Sequence, residues 1–320
     1  MKFIEDLAKA KILVIGDIML DRYWWGSVSR ISPEAPVPIV RLDKASVAAG
    51  GAANVAANVA GLGATPILIG IVGADPEADA VRASLAECGV SPSHLVEVAS
   101  RPTTVKTRII AHSQQVARVD HEVDEPLSAE ASDTLVKSIS GFWDDIGAIV
   151  ISDYAKGVLT SNLLSWIFEA SRERGKQVLV DPKGKNYSKY HGASLLTPNR
   201  QEAAEACNLE ENGQDVVEVS GRRLMSDHKF DAVLITQGEQ GMTLFNGKKD
   251  AVHFPAMARQ VYDVTGAGDT VIATLAASIG AGADLEQAAK LANIAAGIVV
   301  EQVGTTTIKA SELKNALNGQ

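Results

Sequence analysis

The residues best placed to do chemistry lie in the stretch Asp263-Val-Thr-Gly-Ala-Gly-Asp269. Gly266, Ala267 and Gly268 stand immediately before Asp269, and Val271, Ile272, Leu275, Ala276 and Ile279 follow at helical spacing, up to a stop at Gly280 and Gly282. A tight turn of small residues therefore opens a helix. The first turn of a helix leaves backbone N–H groups unbonded, and the helix dipole favours negative charge there. The amides of Gly266, Ala267 and Gly268 could hold an anionic oxygen while the Asp269 carboxylate takes a proton from a hydroxyl. A loop with an aspartate N-cap is the plainer reading of the same residues. The stretch is not a dinucleotide fingerprint, which would need a third glycine where Val271 stands.

Other stretches carry polar residues at places where ligands collect. Gly50-Gly51-Ala-Ala-Asn54 opens a second small-residue helix, which permits close approach of a ligand or another backbone. Asn54 lies in its first turn and can donate to and accept from hydroxyls, whereas Asn58 reads as structural. Asp17 and Asp21 follow the apolar run Lys11 to Gly16 and could grip hydroxyls or cap a loop. Asp153 with Lys156, and Asp181 with Lys183, follow two further apolar runs. Asn199 and Glu202, three apart at a helix start, fit a capping box, and they could equally organise the water shell of Mg²⁺. Lys106 and Arg108 fall on one face of an alternating stretch, where a solvated face is the usual outcome.

These groups must be positioned by a regular α/β framework. Short apolar runs at 12–16, 67–72, 148–152, 177–180, 195–197 and 232–236 alternate with amphipathic helices and end in polar or glycine residues. A twisted, largely parallel sheet with helices on both faces follows, with ligands at the carboxyl ends of the strands. Residues 22–46 break this rhythm with Tyr23, Trp24, Trp25 and three prolines, and together with 103–120 they read as a small β layer inserted into a single domain spanning 1–320. Its prolines suggest short strands and loops. The net charge of −9 and the lack of a Lys/Arg block argue against nucleic acid and against an anionic membrane surface. Two distant cysteines, Cys88 and Cys207, fit reduced thiols in a cytoplasm, and neither a signal-peptide core nor a membrane-length apolar run is present.

Taken together, Gly50-Gly51 with Asn54, Asn199 with Glu202, Thr236 with Gly238 and Gly241, and the stretch Asp263 to Asp269 resemble the ribokinase-like (PfkB) family of carbohydrate kinases in order and spacing over nearly the whole chain. Gly16-Asp-Ile-Met-Leu-Asp21, Ile31 to Pro38, Ser152 to Gly157, Val180 to Gly184 and Thr197 to Glu202 make it most similar to the members that act on D-glycero-β-D-manno-heptose 7-phosphate, including the kinase half of a bifunctional enzyme of lipopolysaccharide synthesis. A nucleotidyltransferase half is absent from this sequence, and a stand-alone kinase and an excised domain would read alike.

The resemblance implies that Asp269 is the base for the anomeric hydroxyl, with the Gly266, Ala267 and Gly268 amides on the transferring phosphoryl group. It further implies ATP and Mg²⁺, the metal oriented by Asn199 and Glu202 through water. Thr236, Gly238, Gly241 and Asn293 would lie near the nucleotide. Asp21, Gly51 and Asn54 would hold sugar hydroxyls, and Arg108, Asp153, Lys156 and Lys183 the heptose body and its phosphate. The β layer would be a lid that forms a homodimer. A kinase of the same fold acting on another sugar, sugar phosphate or nucleoside, or a non-catalytic sugar or nucleotide sensor, are the alternative readings.

Overall fold

The computed structural model describes residues 3–318 except 113, 212, 214, 248–249, 258–260, 303 and 305. A nine-stranded sheet forms the body. Its strands are β1 (Lys11–Gly16), β4 (Thr65–Val72), β5 (Leu95–Glu97), β8 (Ala148–Ser152), β9 (Gln177–Asp181), β10 (Leu195–Leu196), β11 (Ala232–Thr236), β12 (Met242–Phe245) and β13 (Val252–Phe254), in the spatial order 13-12-11-10-9-8-1-4-5. All neighbouring pairs from β11 to β5 are parallel, and β12 and β13 add an antiparallel edge. This is the largely parallel α/β architecture that the alternating pattern predicts.

The central strands are apolar along their middles, with polar residues such as Lys11, Ser152 and Gln177 at their ends, because both of their faces are covered. Alternation along β1 sends Ile12 and Val14 into the core beneath one helical layer, and Leu13 and Ile15 into the core beneath the other. The first layer holds α2 (Ala52–Gly61), α8 (Ala267–Gly280) and α9 (Leu285–Val299). The second holds α4 (Ala129–Ser140) and α5 (Ser161–Glu173), with side chains from α6 (Arg200–Ala206) and α7 (Val216–His228) reaching the same core. Three further helices complete the chain: α1 (Phe3–Asp6), α3 (Pro76–Glu87) and α10 (Ala310–Asn318).

A second sheet of four strands stands apart from the first: β2 (Ile18–Ile31), β3 (Pro38–Gly51), β6 (Thr104–Ala111) and β7 (Gln114–His121), in the order 3-2-6-7. The short strands expected from the prolines are instead two strands of fourteen residues each. Pro33 and Pro36 fall in the hairpin connection, and Pro38 is the first residue of edge strand β3, where a missing N–H costs no ladder bond. β2 begins two residues after β1 ends, so the body sheet feeds directly into the small one. Gly51, at φ 58°, turns β3 into α2, and a side chain there would meet the Asp17 carbonyl oxygen at 2.4 Å.

Candidate active site

Two cavities meet at the start of α8. One, of about 360 Å³, is lined by Met19, Asp21, Gly51, Lys106, Arg108, Arg118, Tyr154, Lys156, Lys183, Thr265, Gly266 and Asp269. The other, of about 460 Å³, is mostly apolar and includes Thr236, Gly238, Gly241, Val264, Ala267, Gly268 and Asn293. Residues 264–269 are therefore the wall between them, with Asp269 facing the cationic side and Ala267 and Gly268 the apolar side.

Gly266 sits at φ 81° as N-cap of α8, a left-handed conformation that glycine adopts without steric cost. Asp269 is buried within the first turn. Its Oδ2 accepts from Asn54 Nδ2 at 2.7 Å, and its Oδ1 accepts from the Tyr154 hydroxyl at 2.9 Å. Burial pushes the Asp269 carboxyl up to about 7; the two hydrogen bonds pull it down and the charge of Asp21 adds to the rise. A carboxyl tuned to that value is suited to take up and release a proton near neutral pH.

The anion cradle is smaller than three free amides. The Ala267 N–H already donates to the Val264 carbonyl at 3.2 Å, because the turn before the helix closes on itself. Beside Gly268 there is open space: a Cβ there would have only Asp181 Oδ2 nearby, at 3.9 Å.

Asn54 stands behind Asp269 and is not among the cavity-lining residues, so its amide serves the carboxylate rather than a sugar hydroxyl. Asn58 is structural, as its spacing predicts. Its Nδ2 donates to the Asn54 carbonyl at 2.9 Å, and its Oδ1 accepts from Thr270 Oγ1 at 3.0 Å and from the Ile308 N–H at 3.1 Å. It thus ties α2 to α8 and to the chain beyond α9.

Asp21 lines the cationic cavity in a direct ion pair with Arg108, whose guanidinium also stacks over Tyr23 at 5.4 Å. β2 and β6 set Asp21 against Lys106 in register, which leaves Arg108 two residues along the same face. Lys156 Nζ donates to Glu122 Oε1 at 2.7 Å, and Lys106 Nζ donates to Glu122 Oε2 at 2.8 Å. Burial works against it, but these two ammonium groups hold the Glu122 carboxyl below its usual range. Lys183 Nζ donates to Glu202 Oε1 at 2.8 Å. Alternation alone reads Lys106 as part of a solvated face and does not single out Arg118, since it defines a face without saying which body it turns toward.

Asp153 does not reach the cavity. Its Oδ2 accepts from Lys189 Nζ and from the Tyr190 hydroxyl, both at 2.7 Å, and its Oδ1 accepts from the Ala155 N–H at 2.7 Å. These bonds tie it to the 153–157 turn and to Lys189 and Tyr190, and it lines neither cavity. Asp17 does the same from the other side, accepting from the N–H groups of Tyr154 at 2.8 Å and Lys156 at 3.1 Å. Burial, together with the charge of Asp153, pushes Asp17 up to about 6.

Asn199 and Glu202 form the capping box of α6: Asn199 Oδ1 accepts from the Glu202 N–H at 2.9 Å, and Glu202 Oε2 accepts from the Asn199 N–H at 3.1 Å. Neither lines either cavity. Among the described residues no cluster of three or more His, Cys, Asp or Glu side chains is arranged to hold a metal ion. Asp181, half-buried beneath Gly268, is pushed well above the usual carboxylate range by burial, with the charges of Asp269 and Glu202 adding to the rise.

Thr236, Gly238, Gly241 and Asn293 all line the apolar cavity. Gly241 sits at φ 90°, where a Cβ would be 2.0 Å from the Phe254 carbonyl oxygen, so the turn closes only with glycine. Asn293 donates to the Pro255 carbonyl at 2.8 Å and fixes the far wall.

The sequence pattern of the pfkB family carbohydrate kinases matches residues 9–312. The bifunctional protein HldE of Methylobacillus flagellatus is 48% identical over 310 residues, 97% of this chain and 63% of that protein. HldE of Pectobacterium atrosepticum is 45% identical over 317 residues, 99% of this chain and 65% of that protein. The chain thus spans about two thirds or slightly less of the length of these relatives. In fold it is similar to Arabidopsis thaliana ribokinase complexed with ribose and ATP (TM-score 0.76, 19% identity, 96% of this chain and 98% of that one). It is likewise similar to Escherichia coli phosphofructokinase-2 in complex with fructose-6-phosphate (TM-score 0.76, 18% identity, 97% of this chain and 98% of that one). The turn at Asp269, the two cavities that it separates and the match over nearly the whole chain lead to one conclusion: this protein belongs to the pfkB family of carbohydrate kinases.

Proposed function

We propose that this kinase transfers the γ-phosphoryl group of ATP to the anomeric hydroxyl of D-glycero-β-D-manno-heptose 7-phosphate, giving the 1,7-bisphosphate in the route to ADP-heptose. The observation that carries the reading is the junction of two unlike cavities at one buried carboxylate. A cation-lined space suits a phosphorylated sugar, an apolar one suits a nucleotide base, and Asp269 stands where the two reacting ends would meet.

The bond changes balance simply. The anomeric oxygen forms a bond to the γ-phosphorus as the bond to the β–γ bridging oxygen breaks and ADP leaves; the hydroxyl proton passes to Asp269. Gly266 and Gly268 amides at the head of α8 stabilise charge on the transferring group, and the helix dipole adds to them. Asp21 and Gly51 contact the sugar, while Arg108, Lys156 and Lys183, joined by Lys106 and Arg118, take its phosphate end. Thr236, Gly238, Gly241 and Asn293 receive the nucleotide. Mg²⁺ prefers oxygen ligands and keeps several waters, which fits a site with few protein carboxylates. Glu202 and Asn199 would hold it through water, where it would neutralise charge on the ATP phosphates.

A lid whose exposed side chains include Trp24, Ile31, Leu42, Val47, Val116 and Val119 carries more apolar surface than a solvated sheet needs, and we assign the homodimer contact to it. Sedimentation equilibrium showing only monomer at micromolar concentration would reject that assignment. ATP as substrate and two unpaired cysteines fit a cytoplasmic enzyme.

A coupled ADP-release screen tests the reading. Heptose 7-phosphate is expected to be turned over in preference to fructose 6-phosphate, ribose and adenosine. Asp269→Asn is expected to lose roughly 10²- to 10⁴-fold while staying folded. Preference for ribose or adenosine would transfer the assignment to another sugar or nucleoside, and a folded protein inert toward all four would make it a sensor.

A further inference from the structure

We propose that Tyr154 is a positioning residue for the base: its hydroxyl holds the Asp269 carboxylate ionised and turned toward the substrate cavity. The inference rests on the reading of Asp269 as the base. Tyr154 and Asp269 line the same cavity, and the phenol donates to Oδ1 at 2.9 Å while Asn54 donates to Oδ2 at 2.7 Å. A carboxylate has about four lone-pair sites, so each oxygen keeps one. With the plane of the carboxylate fixed from both sides, the remaining site on Oδ1 is the one presented to the sugar hydroxyl.

The phenol is placed by the protein, not by the ligand. Its backbone N–H donates to Asp17 Oδ2 at 2.8 Å, and Lys156 N–H to the same oxygen at 3.1 Å. Ala155 N–H donates to Asp153 Oδ1 at 2.7 Å, and Ala155 itself sits at φ 57°. Gly157 closes the turn at φ 80°, where a Cβ would be 2.0 Å from the Glu125 carbonyl oxygen. Two buried carboxylates and a strained turn thus aim one ring at Asp269.

The charged groups around the base leave this donor a clear part. Asp21 on β2 opposes ionisation, and its partner Arg108 on β6 is engaged with it. Lys156 is paired with Glu122, and Lys183, beyond β9, with Glu202. Asp181, the last residue of the same strand, is held toward its neutral form by burial. From α2 comes only the neutral amide of Asn54. Burial disfavours the charged form of Asp269, and the two neutral donors are what oppose it.

The experiment compares kcat/KM for heptose 7-phosphate against pH, at saturating ATP, in the wild-type protein and in Tyr154→Phe. Phenylalanine keeps the ring and the N–H to Asp17, and thermal melting checks the fold. The acid limb is expected to move upward by about one pH unit, since a hydrogen bond to a charged group is typically of that size. Activity should recover toward wild type at alkaline pH, and the KM for ATP should stay unchanged. An unmoved limb overturns the proposal, whether activity is retained or is lost equally at every pH. Asp269→Asn run alongside separates the two claims: if it stays active, the base assignment itself fails; if it is inactive and the Tyr154→Phe limb is unmoved, only the role of Tyr154 falls.

Discussion

Gly268→Ala should make the protein slightly more stable and much less active. Gly268 is the second residue of α8 and has no left-handed backbone conformation, so alanine fits the local geometry. A Cβ there meets nothing closer than Asp181 Oδ2 at 3.9 Å. Replacing glycine with alanine in a helix is worth about 0.5–1 kcal/mol, through lost freedom of the unfolded chain. With an unfolding entropy of roughly 2.1 cal/mol/K per residue, a chain of 320 residues melts only about 1 °C higher for that gain. The same methyl projects beside Asp181 at the cavity wall, where under the proposed function a phosphoryl oxygen approaches the first-turn amides. Displacing one such donor typically costs 10²- to 10³-fold in turnover, about 2.7–4 kcal/mol. Thermal melting and steady-state kinetics on one preparation give both numbers. Wild-type kcat/KM with unchanged or raised Tm would refute the claim that anionic oxygens pass over Gly268; a large drop in Tm would refute the claim of free space.

Two other changes probe separate parts of the structure. Asn58→Ala leaves the Ile308 N–H without its acceptor and cuts the tie between α2 and α8, while Thr270 keeps the Gly266 carbonyl at 3.2 Å, so denaturant unfolding should show a loss of about 2–4 kcal/mol. Lys156→Ala should cost roughly ten- to a hundredfold in kcat/KM for the phosphorylated sugar and Lys183→Ala less, because the side chain of Lys156 is 17% exposed and that of Lys183 49%; a loss confined to the KM for ATP would place either lysine at the nucleotide end.

Local signals in the sequence translated well into structure. The small-residue turn before Asp269, the helix after Gly51, the capping box at Asn199 and Glu202 and the parallel strands each depend on residues within one turn or one strand of each other. Long-range pairings did not. Asn54 meets Asp269 across 215 positions, Tyr154 across 115, and Arg108 meets Asp21 across 87. Asn54 in a first turn reads equally well as a sugar ligand or as a support for a carboxylate, and only the packing of α2 against α8 decides. Asp153 shows the same limit: an aspartate at the end of a parallel strand is in ligand territory, and nothing local reveals that Lys189 and Tyr190, arriving from beyond β9, both donate to its Oδ2. The prolines of the small sheet were read as breaks within strands when they mark the connection between two long ones.

Under the proposed function, the pairing of charges in the cation-lined cavity bears on how a phosphorylated sugar would be chosen. Each of its five cations already has a carboxylate: Lys106 has Asp120 and Glu122, Arg108 has Asp21, Arg118 has Asp120, Lys156 has Glu122 and Lys183 has Glu202. An unpaired set of cations so close together would repel one another. The acids hold each one aimed by an ion pair. A neutral sugar leaves these pairs as they are and gains nothing from them. A phosphate carries up to two charges and three acceptor oxygens, so it can take over donors from Glu122 and Asp120, which lie toward solvent at the end of β7 and can return to water. Its binding is then an exchange of one anion for another with more charge, not the neutralisation of a bare cationic patch. On this reasoning the acidic residues at the end of β7 contribute to selectivity as much as the lysines they hold, because they set what an incoming anion must outcompete.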